Sequence, residues 1–386
     1  MAFDAVSFMR TRACGTPSWP GQDPETDGVD GPRPDSTEDG VQGFEEAFAM
    51  QITTIGVDLA KHVFQLHGIG PDGRVVLRQK LRRSQMMMFF AKLPPCLIGM
   101  EACATAHHWG RELTALGHDV RLMPAHYVKA YIKRGKNDVA DAEAICEAVT
   151  RPTMRFVAIK TREQQAVLVV HRTRELLVRQ RTQAVNALRG LLAEFGICEP
   201  QGIWHVGRLR AHLEGETIPE PGRRTLMLLV DQLDGLERLL VQVEAEIRAW
   251  HRANSVSQRL AKIPGVGPLI ASAIVATVAD ASAFRSGREF AAWLGLVPRQ
   301  RSTGGKQRLG RITHQGDAYI RRLLIVGAQS ALQRSKEIKQ NAWVQGLLGR
   351  CARLKVAVAL ANKTARIAWA LMARGGVYHQ AVLPAA

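Results

Sequence analysis

The sequence predicts an α/β domain followed by a helical linker and a mainly α-helical C-terminal domain. Between residues 51 and 149, short runs rich in β-branched residues are separated by turn residues, and helical patterns then alternate with strand patterns. Beyond residue 160, apolar residues recur at helical spacing almost to the C-terminus. The chain has 386 residues, which is more than one compact core usually holds.

The first predicted elements form an antiparallel meander. The segments ITTIGVDLA, HVFQLHGIG and RVVLRQKL have strand patterns, and Pro71, Asp72 and Gly73 supply the turn before the third. A strand, a helix, a strand and a helix are then predicted at 97–100, 102–116, 120–123 and 139–149. Three strands followed by alternating helices and strands are the element order of an RNase-H-like fold.

The linker pattern contains a heptad seam. Residues 161–196 are Arg-rich and helical in pattern, and Pro219, Pro221 and Gly222 then interrupt the chain. Apolar residues follow at alternating spacings of three and four, at Leu226, Leu229, Leu233, Leu236, Leu240, Val243, Ile247 and Trp250. This seam predicts either self-association or an intramolecular helical hairpin. We therefore divide the chain into an acidic disordered leader, the α/β domain, the linker, the C-terminal domain and a tail at 1–49, 50–155, 156–253, 254–375 and 376–386.

Composition indicates a polyanionic partner. The formal net charge is +17, and the leader alone carries −7, so the remainder is more basic than the total. The six cysteines show no zinc-ligand spacing, and we expect reduced, mostly buried thiols. No apolar run is long enough to span a membrane and no signal peptide is evident, so the sequence predicts a soluble, cytoplasmic protein without membrane partners.

Four acidic residues are candidate metal ligands. Asp58 closes a strand, Glu101 follows another, and Asp138 and Asp141 lie three residues apart on one helical face. Taken singly, three of them have a structural alternative: Asp58 as a turn cap, Glu101 as the start of a helix and Asp138 as an N-cap residue. In the predicted fold they converge, and two Mg²⁺ ions would offset their repulsion and serve phosphodiester attack.

A basic segment near the C-terminus contains Ser302, Thr303, Gly304 and Gly305, which we expect to form a flexible loop. Its candidate nucleic-acid contacts are Arg299, Arg301, Lys306, Arg308, Arg311, Arg321 and Arg322. Residue chemistry alone favours a phosphate-binding loop over a nucleophile, because no base is adjacent in sequence. The earlier segment IPGVGPLIASA is read either as a helix-hairpin-helix phosphate site or as an ordinary turn between helices.

From Met50 to about Gly375 the chain resembles the DEDD insertion-sequence transposases, also known as bridge-RNA-guided recombinases. The motifs that carry the resemblance occur in order: TTIGVDLAKHVFQLHG, GMEACATAHHW, KNDVADAEAICEAVTRPTMRFV, IPGVG and GLVPRQRSTGGKQRLGRIT. The acidic leader departs from the family pattern, and so do His314 and Gln315, which stand where a basic pair is more usual.

The resemblance implies a RuvC-like domain whose catalytic tetrad is Asp58, Glu101, Asp138 and Asp141. It also implies a nucleophilic serine, which maps to Ser302 with Thr303 as the fallback. Further implications are a covalent protein–DNA intermediate, a composite active site shared between subunits of a homo-oligomer, and a structured noncoding guide RNA.

Two rival functions remain open from the sequence. A Holliday-junction-type endonuclease would use the same carboxylates with water and would not need Ser302. A non-enzymatic nucleic-acid-binding protein would retain the basic surface with a decayed tetrad, although all four acids are present.

Overall fold

A five-stranded mixed sheet organises the first half of the chain. The computed structural model describes residues 52–132, 137–202, 205–214, 218–306 and 308–379. The predicted acidic leader and most of the predicted tail lie outside these residues.

The sheet contains the predicted antiparallel meander. Its strands are β1 (Thr54–Leu59), β2 (Val63–Ile69), β3 (Val75–Arg82), β4 (Leu97–Glu101) and β5 (Asp119–Met123). They lie in the order β3-β2-β1-β4-β5, with antiparallel pairing among β1, β2 and β3 and parallel pairing among β1, β4 and β5. The predicted RNase-H-like order is thereby confirmed, and the carboxyl ends of β1 and β4 meet at one edge.

Helices lie on both faces of this sheet: α1 (Met86–Ala91), α2 (Ala106–Ala115), α3 (Ala125–Val128) and α4 (Asp138–Val149). Side chains alternate between the faces of a strand, and Ile55 and Val57 of β1 share a hydrophobic cluster with residues of α1 and α2. Gly56 therefore faces the other side, where it contacts α4. The sequence analysis missed α1, and it started α2 four residues early because the chain bends at Thr105, whose φ is +72°.

The linker is a helical hairpin built from α5 (Arg162–Ala193), the short α6 (Val206–Ala211) and α7 (Glu220–Ala253). Leu177 of α5 packs with Leu240 of α7, and Leu188 packs with Leu226, so the two long helices run antiparallel. The heptad seam thus packs within the chain, with Val230 more deeply buried than the predicted Leu229.

The C-terminal part is mainly α-helical, as predicted. It comprises α8 (Ser255–Leu260), α9 (Pro268–Thr277), α10 (Gly287–Trp293), α11 (Ala318–Arg334), α12 (Lys336–Gln340), α13 (Ala342–Leu348), α14 (Arg353–Arg374) and a hairpin of β6 (Pro298–Gln300) and β7 (Leu309–Ile312). The IPGVG turn joins α8 to α9. A Cβ on Gly265 in this turn would lie 2.6 Å from the backbone oxygen of Gly327 in α11, so the turn packs closely against that helix.

The thiols correct one expectation. Cys96 and Cys146 are buried, whereas Cys103 and Cys198 are exposed and Cys351 is half-buried; all five are free. The expectation that most cysteines are buried is therefore wrong for the described residues. No helix in the described part of the chain is long and apolar enough to cross a membrane.

Candidate active site

Two acidic residues lie side by side at the carboxyl edge of the sheet. Val57 of β1 pairs with Met100 of the parallel strand β4, so the next residues, Asp58 and Glu101, follow on neighbouring strands. Adjacent strands are about 4.8 Å apart. Because alternate residues share a face, both acids lie on the face that α4 covers.

Two glycines allow α4 to approach this face. A Cβ on Gly56 would lie 2.3 Å from the backbone oxygen of Ala142 and 2.4 Å from the backbone nitrogen of Cys146, and a Cβ on Gly99 would lie 2.8 Å from Cβ of Val149. The Cys146 thiol also donates to the backbone oxygen of Thr54 at 3.8 Å. Thr54 contacts Cys146, and Gly56, further along β1, also contacts the earlier helix residue Ala142. The helix α4 therefore runs antiparallel to β1, and its first turn lies toward the acidic edge.

The other two acids lie in that first turn. Asn137, rather than Asp138, is the N-cap residue, since its side chain accepts from the backbone N–H of Ala140 at 2.7 Å. Asp138 is exposed. Asp141 is half-buried, and its Oδ1 is a buried oxygen without a hydrogen-bond partner.

The exposed Cys103 thiol lies close enough to this edge to be affected by its negative charges. Partial desolvation of the sulfur by its neighbours, followed by the negative charges of Glu101 and Asp58, raises the pKa of Cys103. Both carboxylates therefore act on one small volume. In the described ranges, no three His, Cys, Asp or Glu side chains are already arranged as a metal site. The oxygen donors and the orphaned Oδ1 of Asp141 nevertheless fit a hard divalent cation.

Ser302 lies in a β-hairpin rather than in the expected flexible loop. Thr303 and Lys306 form a β-bridge, and the Lys306 N–H donates to the Thr303 oxygen at 3.1 Å. Gly304 and Gly305 between them have φ of +55° and +79°, as a two-residue type I′ turn requires. Ser302 and its neighbours from Arg301 to Lys306 are all exposed.

The base of this hairpin is tightly held by its own domain. A Cβ on Gly316 would lie 1.9 Å from the backbone oxygen of Trp293. Arg321 is only 8% exposed and donates to the backbone oxygens of Leu294 at 3.0 Å and Gln315 at 2.6 Å. The predicted nucleic-acid contact of Arg321 is therefore corrected, because its guanidinium fastens the chain beneath the hairpin.

The other candidate basic residues fall into two groups. Arg301, Lys306, Arg308 and Arg311 are exposed along the hairpin. Arg299 is also exposed and donates to the Thr313 oxygen at 3.0 Å, and Arg322 forms an ion pair of 2.9 Å with Glu175 of α5.

Two basic clefts escaped the sequence analysis because their residues are scattered along the chain. One, of about 660 Å³, lies where β2 begins and β3 ends, on the face of the sheet that α2 covers, and is lined by His62, Val63, Arg82, Arg83, Ser84, His108 and Trp109. The Arg83 guanidinium lies over the Trp109 ring at 5.3 Å. The other, of about 500 Å³, lies beside the hairpin, where Lys363 stacks over Trp343 at 4.7 Å. Cationic and aromatic groups together suit nucleotides.

A buried histidine joins the linker to the serine-bearing domain. Ser272 of α9 donates its hydroxyl to the Pro268 oxygen at 2.7 Å, so it accepts from Nε2 of His171 at 3.1 Å. Nδ1 of His171 then accepts from the Tyr319 hydroxyl of α11 at 3.1 Å. Burial, followed by the charges of Arg174 and Arg172, lowers the pKa of His171 to about 4.

Two family models match separate parts of the chain. A sequence model of DEDD transposases of the IS110 type matches residues 55–197, and a model described as the transposase IS116/IS110/IS902 family matches residues 257–343. The four acids lie in the first range and Ser302 lies in the second.

Similar curated proteins are transposases by name. A "Probable family 20 transposase" of Pseudomonas aeruginosa is 49% identical over 85% of this chain and 99% of its own length. The transposase for insertion sequence element IS1328 of Yersinia enterocolitica is 41% identical over 85% of this chain and 98% of its own length. The transposase for insertion sequence element IS1111A of Coxiella burnetii is 39% identical over 85% of this chain and 91% of its own length.

Proposed function

Because the chain belongs to the IS110 family of DEDD transposases and is therefore a DNA transposase, we propose that it exchanges DNA strands with two cooperating groups. One group is the carboxylate set of Asp58, Glu101, Asp138 and Asp141. The other is the hydroxyl of Ser302. The observation that carries the proposal is the placement of Asp58 and Glu101 on one face of the sheet, at the edge reached by the first turn of α4.

The carboxylate set is assigned to divalent metal binding. Membership in a DEDD family implies a divalent metal ion, and we assign Mg²⁺ because every proposed ligand is an oxygen. When bound, the metal supplies Lewis-acid stabilisation of the charge on the phosphate oxygens. The four side chains would hold the metal and so orient the phosphodiester for attack.

Ser302 is assigned as the nucleophile. Its Oγ–P bond forms as the P–O bond to a deoxyribose oxygen breaks; the serine proton passes to solvent and the leaving sugar oxygen takes up a proton. Attack by a sugar hydroxyl of another DNA end reverses these steps, so the number of phosphoester bonds is conserved. The tight turn and full exposure of the hairpin support this role, because they present Ser302 to a substrate beside Arg301, Lys306 and Arg308.

Nucleic acid is held by the basic surfaces around both groups. The cleft lined by Arg83 and Trp109 and the cleft beside the hairpin support separate strand-holding sites. We further propose a homo-oligomer in which the hairpin of one subunit meets the carboxylates of another, and a structured noncoding guide RNA that pairs with the donor and target DNA. The net charge of +17 supports a large polyanionic load.

The test is recombination of a plasmid that carries the element's ends, with Mg²⁺ and the flanking noncoding RNA. Ser302→Ala and Asp58→Ala are both expected to abolish strand exchange, and Ser302→Ala is also expected to abolish a covalent protein–DNA adduct on denaturing gels. Thr303→Ala is the matched control in the same hairpin and should retain the adduct.

Each outcome assigns a role. If Ser302→Ala cuts DNA at the wild-type rate, water is the nucleophile and the protein works as a junction-type endonuclease. If Thr303→Ala alone loses the adduct, the nucleophile is Thr303. Exchange that proceeds equally well without the RNA would remove the guide from the proposal.

A further inference from the structure

Gln65 is a buried amide on the face that carries the acidic residues. It lies on β2 directly opposite Asp58 in the antiparallel register. Because paired residues face the same side of a sheet, Gln65 is on the face that α4 covers. Residues opposite each other in such a pair have Cβ atoms about 4.5–5.5 Å apart. The Gln65 side chain is therefore within reach of whatever the Asp58 carboxylate binds.

The amide of Gln65 is poorly satisfied by the protein. The residue is only 5% exposed, and its Oε1 is buried with no hydrogen-bond partner. Its Nε2 makes one long hydrogen bond, of 3.4 Å, to the backbone oxygen of the adjacent Leu66. A buried oxygen without a partner destabilises a fold, so an oxygen of this kind opposite Asp58 is a candidate ligand for a bound ion.

A second orphaned oxygen lies on the helix that covers this face of the sheet. Oδ1 of Asp141, in the first turn of α4, is also buried without a hydrogen-bond partner. One orphan thus comes from β2 and one from α4, the helix that packs on the face of the sheet to which Gln65 and Asp58 belong. Unsatisfied oxygens on two elements of this face match the requirement of a divalent cation for several oxygen ligands.

We propose that Gln65 is an additional ligand of the metal site, bound through its Oε1 either directly or through one metal-bound water. This inference rests on the proposed carboxylate site and adds a residue outside its four acids. A neutral amide oxygen suits this position because it supplies a donor without adding a fifth negative charge to a crowded set.

The experiment titrates the purified full-length protein, stripped with EDTA, with Mn²⁺ alone and measures free Mn²⁺ by electron paramagnetic resonance. Gln65→Met keeps the length of the side chain and removes the oxygen; it is expected to weaken Mn²⁺ binding tenfold or more. Its melting temperature in EDTA should be no lower than that of the wild type, because an unsatisfied polar group has been removed. Gln65→Glu restores an oxygen and is expected to bind Mn²⁺ at least as tightly as the wild type.

Gln79→Met is the matched control, because Gln79 lies on the neighbouring strand β3 and is exposed; it should change neither value. Gln65→Met with Mn²⁺ affinity within twofold of wild type overturns the inference, as does Gln65→Glu with weaker binding. If Gln65→Met does not fold, the Mn²⁺ affinity of Gln65→Glu alone decides the test. Asp58→Asn distinguishes failure of the carboxylate site from failure of the Gln65 proposal. If Asp58→Asn leaves Mn²⁺ binding unchanged, the carboxylate site itself is wrong. If Asp58→Asn loses Mn²⁺ binding while Gln65→Met binds normally, only the role of Gln65 is wrong.

Discussion

The acidic edge and the serine hairpin differ in how much of the protein packs against them. Asp58 and Glu101 directly follow Val57 and Met100, which are fully buried. The helix α4 lies against both strands, with its backbone at Gly56 and with the Val149 side chain at Gly99. Ser302, in contrast, lies in a hairpin whose strands and turn are almost wholly exposed, and only its base is fastened.

This difference shows where each half of the site obtains its geometry. The acids are positioned by core packing, so their arrangement is a property of the single folded chain. The hairpin has little packing above its base, so the final position of Ser302 depends on the DNA or the subunit that it meets. Variants at the acidic edge should therefore affect folding and chemistry together, whereas variants at the hairpin tip should affect chemistry alone.

The largest effect is expected from Gly56→Ala. The new Cβ would collide with the backbone of α4 at Ala142 and Cys146, and backbone cannot rotate out of the way. We expect a loss of about 3 kcal/mol in the free energy of unfolding, measured by urea denaturation, together with loss of strand exchange.

Gly235→Ala on α7 is the matched control. A Cβ there meets only the end of the Arg238 side chain, at 3.9 Å, so alanine should stabilise the helix by about 0.5–1 kcal/mol. Wild-type stability in Gly56→Ala would show that α4 does not pack on β1 as described. The acidic edge would then not be positioned by core packing.

A smaller effect is expected at the base of the hairpin. Arg321→Met leaves the backbone oxygens of Leu294 and Gln315 without their donor and should lower the free energy of unfolding by about 2–3 kcal/mol. The adjacent variant Arg322→Met breaks only a half-exposed ion pair with Glu175 and should cost less than about 1 kcal/mol. Equal effects of the two variants in thermal and urea unfolding would contradict the buried role of Arg321.

The smallest effect is a pH dependence at the joint between the linker and the serine-bearing domain. The pKa of His171 is lowered from 6.5 to about 4 in the folded chain. Between these pH values, His171 is protonated in the unfolded chain and neutral in the folded chain. Stability from this group is complete above pH 6.5 and is lost as the pH falls toward 4. Between pH 7 and pH 5, wild type should lose about 2 kcal/mol more than His171→Gln. Parallel urea curves at both pH values would contradict a buried neutral histidine.

The fold and the positions of the four acids within it were predictable because their signals are local. Alternation places Asp58 at the end of a buried strand, and a spacing of three places Asp138 and Asp141 on one helical face. The role of Gly56 was not predictable, because the Cβ clash depends on a helix more than 80 positions later.

The hairpin and the basic residues were harder to predict. The strands around Gly304 and Gly305 are exposed on both faces, so they show no alternation of apolar and polar residues, and only the Gly-Gly pair indicated a turn. Arg321 looks solvent-facing by charge, and its burial depends on backbone oxygens brought in by tertiary packing. Each miss therefore concerns a residue whose environment is built by distant parts of the chain.

The direction of α4 has an electrostatic consequence for the acids. Its N-terminal end faces the edge where Asp58 and Glu101 lie, and the aligned peptide dipoles of a helix give that end about half a positive elementary charge. Each carboxylate near such an end is stabilised by about 0.3–1 kcal/mol. The helix thus lowers the cost of gathering like charges before any cation binds. A fold in which α4 ran parallel to β1 would turn a partial negative charge toward the same acids.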